Sequence, residues 1–193
     1  MCFAADVTDR AQVDAAFAAA RAAHGPIAIL VNNAGAAAGL PFAKVTEAQW
    51  RALLAVNLDG VFHCCQAAIA DLLAARSGRI VTIASMAGLY GFAYASPYIA
   101  AKHGAVGLTR ALAAEYAGTN LRVNAVCPGF VDSDMTAQSI ANISGKTGRS
   151  PDQARAELAR LNPSARLIAP EDVARAALDL ILSDRNGEAI EIG

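Results

Sequence analysis

The sequence has 193 residues, of which 55% are hydrophobic and 17% are charged, and its formal net charge is −1. This composition is typical of a globular domain with a sizeable core and excludes a disordered chain. A nearly neutral chain without a basic cluster lacks the charge expected of a nucleic-acid-binding protein, so we expect a small-molecule partner and no nucleic acid. No uninterrupted apolar run approaches the roughly 18 residues that span a bilayer, and no leader pattern begins the chain, so we expect no membrane partner.

The four cysteines, Cys2, Cys64, Cys65 and Cys127, form no Cys-x-x-Cys pair and have no histidine at ligand spacing. This pattern argues against a zinc site and against a disulfide framework, so no metal is expected. Free thiols suit a reducing compartment, and we therefore expect a cytoplasmic location.

Short apolar, β-branched runs predict strands, and alanine-rich stretches with helical periodicity predict helices between them. In chain order the predicted elements are a strand at 2–7, a helix at 10–23, a strand at 27–31, a helix at 47–57 continuing to 75, a strand at 79–84, a helix at 97–117, a strand at 121–126, helices at 151–161 and 170–182, and a strand at 188–192. This alternation indicates an α/β fold with a parallel sheet covered by helices on both faces.

Several helix starts carry residues typical of N-caps. The expected caps are Asp9 with Gln12, Thr46 with Gln49, Ser96 before Pro97, and Ser150 before Pro151.

No linker or internal repeat divides the chain, so we expect residues 1–193 to form a single domain. Region 130–170 lacks a clear strand and directly follows the predicted strand at 121–126. The ligand crevice of an open parallel sheet lies beyond the carboxyl ends of its strands, so this region is placed to become a substrate lid. The alternative is a solvent-exposed helical excursion.

Tyr98 and Lys102 lie four residues apart in the predicted helix at 97–117, so their side chains share one helix face. A free tyrosine titrates at about 10 and is a poor acid or base at neutral pH. An ammonium group about 4 Å away lowers the phenol pKa by roughly three units, so we expect Tyr98 to transfer protons near working pH. The alternative is plain packing on the helix surface.

Four further signals lie beside the expected crevice. They are the segment Asn-Asn-Ala-Gly at 32–35, Asn57 within an apolar helical stretch, Ser85 after the strand at 79–84, and the segment Pro-Gly-Phe-Val-Asp-Ser at 128–133. Small residues at a strand end allow a ligand to approach the backbone, and backbone amides of such a loop could meet a carboxamide or phosphate. Each signal also has a structural alternative: a turn for the two segments and for Ser85, and internal hydrogen bonding for Asn57.

Taken together in this order, these residues resemble the short-chain dehydrogenase/reductase family over essentially the whole chain. Within the family, the stretch 85–110 is most similar to bacterial 3-oxoacyl reductases and 3-hydroxyacyl-type dehydrogenases. The resemblance implies a Rossmann-like doubly wound sheet and hydride transfer between NAD or NADP and a carbonyl or secondary alcohol, which could be a 3-oxoacyl thioester. It also implies a homodimer or homotetramer built on the helices at 57–75 and 97–117.

The resemblance also implies roles for individual residues. Ser85 would hydrogen-bond the reacting oxygen and Tyr98 would donate the proton. Lys102 would stabilise the tyrosinate and orient the nicotinamide ribose, while Asn57 would hold a water that relays protons. The residues implied to contact the cofactor are Asp6, Val7, Asn33, Ala34, Gly35, Tyr98, Lys102, Pro128, Gly129, Val131 and Ser133.

The sequence departs from the family pattern at its beginning. Family members start with a strand, a Gly-rich turn that holds the pyrophosphate, a helix, and a second strand that selects NAD or NADP. None of these is recognisable in the sequence, so we expect an N-terminally truncated fold without the first two strands and the first helix. The alternative function is therefore a non-catalytic remnant or assembly subunit that cannot bind dinucleotide. In the predicted lid, Lys146 and Arg149 could meet phosphates of an acyl thioester carrier or belong to a solvated loop.

Overall fold

A parallel four-stranded sheet is the centre of the fold in a computed structural model that describes residues 2–193. The strands lie side by side in chain order and are β1 (Ile29–Asn32), β2 (Arg79–Ile83), β3 (Arg122–Pro128) and β4 (Ala189–Ile192). Leu30 lies opposite Ile80 in the β1–β2 register, and Ile80 lies opposite Val123 in the β2–β3 register. The expected α/β, Rossmann-like fold class is confirmed.

Seven α-helices connect and flank these strands within residues 2–193. They are α1 (Arg10–His24), α2 (Glu47–Leu54), α3 (Gly60–Ala74), α4 (Ser96–Glu115), α5 (Asp134–Thr147), α6 (Pro151–Arg160) and α7 (Pro170–Leu182). Helix α5 falls in a stretch for which the sequence predicted no element, while the other six match predicted helices within a few residues.

The core has one layer on each face of the sheet. On one face, Ile80 of β2 packs with Leu72 of α3, and on the other face, Val81 packs with Leu180 of α7. Burial on both faces explains why the sequences of β2 and β3 are apolar without a regular alternation of polar residues. Strand β1 differs, since Ile29 and Val31 remain 49% and 43% exposed.

The strand predicted at 2–7 is wrong, because this segment joins no strand in the described part of the chain. The N–H group of Asp6 donates to Oε1 of Gln12 at 3.0 Å, and the carbonyl oxygen of Val7 accepts from Nδ1 of His63 at 3.0 Å. An apolar run becomes a strand only where a neighbouring backbone pairs with it. Here the side chains of Gln12 in α1 and His63 in α3, rather than a neighbouring strand, bond the backbone of this segment.

The expected caps are mostly confirmed. Reciprocal capping boxes form at Thr46 with Gln49 and at Ser150 with Gln153. Asp9 caps α1, but the carboxamide oxygen of Gln12 turns to Asp6 instead of closing a box. The Ser96 cap is wrong, because Ser96 already belongs to α4 and Ala95 holds the N-cap position without a side-chain bond.

Helices α2 and α3 continue into each other through a π-helical turn at Ala55–Asp59. The combined helix, Glu47–Ala74, has 28 residues and is long and apolar enough to cross a membrane by length and composition alone. This is weak evidence for a span, because a helix that packs against the core of a globular protein has the same properties. Ala68 and Leu72 of this helix are fully buried in the core.

Candidate active site

The candidate site lies beyond the carboxyl ends of neighbouring strands. Asn32 ends β1, Ser85 follows β2 by two positions, and Pro128 ends β3. Parallel strands end at one edge of the sheet, so these three positions meet there. Helix α4 brings Tyr98 and Lys102 to the same edge, where Nζ of Lys102 donates to the carbonyl oxygen of Ile83 at 3.0 Å.

Asn57 lies inside the π-helical turn and is fully buried. Its Nδ2 donates to the carbonyl oxygens of Ala36 at 2.8 Å and of Leu53 at 2.9 Å, and its Oδ1 accepts from the N–H of Ala36 at 3.3 Å. Single π turns inside α-helices are frequent at functional sites. Asn57 therefore joins the α2–α3 helix to the loop after β1. Sequence periodicity did not reveal this connection.

Gly35 lies in the same loop, close to two of the catalytic candidates. A Cβ atom at this position would lie 2.9 Å from Oδ1 of Asn57 and 3.7 Å from Nζ of Lys102. The missing side chain therefore allows the loop backbone to contact both groups. Asn33 and Ala34 of the same segment are exposed and open to a ligand.

Lys102 is buried, with 5% of the residue exposed, and no acidic side chain forms an ion pair with it in residues 2–193. Burial lowers the pKa of its ammonium group to about 8. Its Nζ lies over the ring of Tyr98, 5.7 Å from the ring centroid. The chain thus holds an easily deprotonated amine beside the candidate acid.

The pKa of Tyr98 moves in the direction opposite to our expectation. Burial raises the pKa of the phenol, and a hydrogen bond with Ser85 only partly opposes this effect. The Lys102 ammonium faces the ring rather than the phenol oxygen, and burial disfavours its positive charge. In this geometry Tyr98 is protonated at neutral pH, which suits a proton donor.

Ser85 connects the ends of β2 and β3. Its Oγ donates to the carbonyl oxygen of Pro128 at 3.4 Å and accepts from the N–H of Ala87 at 3.1 Å. The same hydroxyl lies near enough to Tyr98 to lower the pKa of the phenol in part. Ser85 is therefore placed to share an incoming oxygen with the Tyr98 phenol.

The segment with Asp6 and Val7 lies at the start of α3. The Asp6 carboxylate accepts from the N–H and the hydroxyl of Thr8, both at 2.8 Å, and these bonds lower its pKa. A Cβ atom at Gly60 would lie 2.7 Å from Cγ2 of Val7, so Val7 packs directly on the helix backbone. Gly60 follows Asn57 by three positions. One helix segment therefore supports both Val7, which the resemblance implies to contact the cofactor, and the predicted catalytic residue Asn57.

This packing predicts the effect of Gly60→Ala. Alanine normally stabilises a helix interior relative to glycine by roughly 0.5–1 kcal/mol. At Gly60 the new methyl group must displace Val7, so we expect the gain to be cancelled and stability to fall by about 1 kcal/mol. Gly145→Ala in α5, where a Cβ atom meets nothing within 4 Å, is the matched control and should stabilise. Urea unfolding of both variants measures the difference, and equal stabilisation would contradict the packing of Val7 on Gly60.

The loop after β3 has an irregular course. Pro128 is buried, Val131 forms an isolated parallel bridge with Ile168, and Ser133 holds the N-cap position of α5 without a side-chain cap bond. Asn162, which the sequence analysis missed, binds the backbone of this loop. The Asn-Pro pair at 162–163, typical of turns, was the available signal.

Lys146 and Arg149, the two basic residues of the predicted lid, both have partners within the chain. Nζ of Lys146 donates to the carbonyl oxygen of Gly39 at 3.3 Å, which joins α5 to the loop after β1. Nε of Arg149 lies 3.0 Å from Oε1 of Glu157 in α6. Lys146 therefore lies beside the loop after β1, whereas Arg149 is paired with helix α6.

Comparisons with known proteins agree with this geometry. A family model described as short chain dehydrogenase matches residues 1–144. The chain is 44% identical over 179 residues to the inactive 2-(S)-hydroxypropyl-CoM dehydrogenase 2 of Xanthobacter autotrophicus, a match that covers 92% of this chain and 75% of that protein. It is 36% identical over 175 residues to the 3-oxoacyl-(acyl-carrier-protein) reductase FabG of Thermotoga maritima, covering 91% of this chain and 67% of that protein.

A solved structure of a ketoreductase has a similar fold. Actinorhodin polyketide ketoreductase with NADPH superimposes on this chain with a TM-score of 0.92 at 35% identity, covering 97% of this chain and 74% of that one.

Proposed function

Because this chain belongs to the short-chain dehydrogenase family, we propose that it interconverts a carbonyl and a secondary alcohol with NAD or NADP. The observation that carries the proposal is the convergence of Ser85, Tyr98 and Lys102 at one sheet edge, with Ser85 near enough to influence the pKa of Tyr98 and Nζ of Lys102 over the Tyr98 ring. A positioned side chain that transfers a proton in the transition state typically increases the reaction rate by roughly 10²- to 10⁴-fold.

The residues of this chain divide the chemistry between them. In reduction, Ser85 donates a hydrogen bond to the substrate oxygen as negative charge develops there, and Tyr98 donates the proton. Lys102 is proposed to stabilise the phenolate that remains, which requires its ammonium group to move from the face of the ring toward the phenol oxygen. Asn57, which bonds the loop beside Lys102, holds that loop at a fixed distance from the amine and is proposed to bind the relaying water.

The chain fits the nicotinamide end of a dinucleotide. When bound, the dinucleotide supplies or accepts the hydride. Gly35 leaves room for close approach beside Lys102, whose ammonium group can donate hydrogen bonds to a ribose hydroxyl. We propose that Asp6, Val7, Asn33 and Ala34 contact the remaining nucleotide, and that the loop with Pro128, Gly129, Val131 and Ser133 contacts the nicotinamide carboxamide.

The proposed substrate class is a 3-oxoacyl thioester. Support comes from the 36% identity to a 3-oxoacyl-(acyl-carrier-protein) reductase and from the match to a polyketide ketoreductase. We propose that α5 and α6, which fill most of region 130–170, form the substrate lid. The bond from Lys146 to Gly39 supports this role, because it closes the rim between α5 and the loop after β1.

The test is turnover of the purified chain with acetoacetyl-CoA at millimolar NADH or NADPH, compared with a simple ketone that lacks the thioester. We expect the thioester to be reduced at least about tenfold more efficiently, since remote binding energy is used to orient the reacting group. Equal efficiency would contradict the thioester assignment but leave the reductase assignment intact. Absence of turnover with both dinucleotides would contradict the proposed activity itself.

A second candidate is a non-catalytic subunit that does not bind dinucleotide. One specific observation favours it: the relative that is 44% identical carries the word inactive in its name. Titration of NADH and NADPH, followed by saturation-transfer NMR, separates the two candidates. Binding of either dinucleotide at millimolar concentration supports the reductase, and binding of neither supports the subunit.

We further propose a homodimer or homotetramer formed through α3 and α4. Phe62 of α3 is 45% exposed and offers an apolar contact to a second copy. A Cβ atom at Gly107 of α4 would meet nothing within 4 Å, so the helix backbone is open there to close packing. A cytoplasmic location completes the proposal. It is supported by the four cysteines, which are all free.

A further inference from the structure

Asn162 is a buried amide in the turn after α6. Only 3% of the residue is exposed, and its side chain uses both of its polar atoms. Oδ1 accepts from the N–H of Phe130 at 2.7 Å, while Nδ2 donates to the carbonyl oxygens of Phe130 at 2.9 Å and of Arg166 at 2.6 Å. Asn162 therefore satisfies both backbone groups of Phe130, as a neighbouring strand would.

The same contact explains the glycine at position 129. A Cβ atom there would overlap Oδ1 of Asn162 and lie 3.0 Å from Sδ of Met86. Gly129 is thus enclosed between the amide of Asn162 on one side and the residue that follows Ser85 on the other. The backbone can pass only without a side chain.

These contacts connect Asn162 to the reacting groups through a short path. Phe130 and Gly129 are held by Asn162, and the carbonyl oxygen of Pro128 accepts from Oγ of Ser85 at 3.4 Å. Beyond Phe130, Val131 pairs with Ile168. The backbone of this loop also bonds to Ile192 and Ile168, and Asn162 is the side chain that holds both backbone groups of Phe130 between those contacts. Asn162 therefore helps to determine how the loop at 128–133 stands relative to Ser85.

We propose that Asn162 is a positioning residue for nicotinamide binding: it holds the loop at 128–133 in the course that presents its backbone beside Ser85. The inference rests on the proposed function, since that loop is proposed to contact the carboxamide. Asn162 itself touches neither cofactor nor substrate. A purely structural turn residue would affect stability alone, whereas a positioning residue affects binding of the nicotinamide half selectively.

This selectivity is tested by measuring the Kd values of NADH and of ADP-ribose for three proteins: the parent chain, Asn162→Ala and Asn162→Asp. ADP-ribose lacks only the nicotinamide, so we expect the Kd for NADH to rise about tenfold or more and that for ADP-ribose to stay within about twofold. Aspartate should be as damaging as alanine, because a carboxylate oxygen would face the carbonyl oxygens of Phe130 and Arg166. Asn120→Ala, at an exposed amide in the turn after α4, is the matched control and should change neither value.

An equal loss of both ligands, or no loss, would overturn the positioning role. If the parent chain binds neither ligand, the proposed function fails and the positioning role falls with it.

A thermal double-mutant cycle reports on the contact without any ligand. Gly129→Ala should lower the Tm of the parent chain by roughly 5–10 °C, because the new methyl group overlaps the Asn162 amide. In the Asn162→Ala background the same substitution should lower the Tm by less than half as much. Equal shifts in both backgrounds would show that Asn162 does not determine the course of the loop and would overturn the inference.

Discussion

Tyr98→Phe is expected to lower turnover by roughly 10²- to 10⁴-fold while dinucleotide affinity changes little. The substitution removes the phenol hydroxyl but keeps the ring, so the packing of Lys102 over that ring remains possible. Because the position of Tyr98 is only partly exposed, we expect no solvent proton to replace the lost donor efficiently. Steady-state rates with NADH or NADPH, together with the dinucleotide Kd, measure the two quantities separately.

Tyr94→Phe is the matched control for this experiment. Tyr94 is 67% exposed and lies outside helix α4, so its hydroxyl should be dispensable. Turnover of Tyr98→Phe within about threefold of the parent would remove Tyr98 from the mechanism.

Lys102→Met is expected to make the protein more stable at neutral pH, although it removes a residue proposed to be essential for activity. Burial lowers the pKa of Lys102 from 10.5 to about 8, a difference of roughly 2.5 units or about 3 kcal/mol. That free energy is the cost of holding the charged form in the folded interior. Methionine has a similar length without the charge, so the gain is reduced by loss of the bond to Ile83, typically about 1 kcal/mol, and by loss of the contact between the ammonium group and the Tyr98 ring.

The pH dependence gives this prediction its direction. Between pH 8 and 10.5 the unfolded chain holds a proton on Lys102 that the folded chain has lost, so the stability of the parent rises with pH in this window. Below pH 8 both states are protonated and the cost is present in full. The stability advantage of Lys102→Met should therefore be largest at neutral pH and shrink as pH approaches 10.5.

Urea unfolding at a series of pH values measures that difference. Taking the variant minus the parent removes the contribution of Cys65, whose raised pKa is common to both proteins. Lys44→Met, at an exposed lysine, is the control and should leave the pH dependence of the parent unchanged. A constant difference between Lys102→Met and the parent at every pH would show that burial of the ammonium group does not limit stability.

A residue that costs stability at neutral pH fits a functional role, since proteins tolerate strain and buried charge at reacting sites. Asn57 and Asn162 differ from Lys102 in this respect. Their buried polar atoms are satisfied by backbone partners, so they contribute rigidity without a buried charge.

Local spacing in the sequence was sufficient for much of the fold and for part of the site. Helical and strand periodicity located β1 to β4 and six of the seven helices of residues 2–193. The four-residue spacing of Tyr98 and Lys102 correctly placed both side chains on one helix face. An α-helix has about 3.6 residues per turn in any tertiary environment, so this inference needs the local sequence alone. Strand ends likewise located Ser85 and Pro128, since parallel strands end at the same edge of a sheet.

Tertiary structure alone decided the remaining features. Residues 2–7 have a strand-like composition but pair with no strand, because a strand requires a backbone partner that composition does not encode. The pKa of Tyr98 is raised rather than lowered, since it depends on burial and on where the Lys102 charge lies relative to the ring. Asn162 contacts Phe130 across 32 positions of sequence, and only folding brings such distant residues within hydrogen-bonding distance.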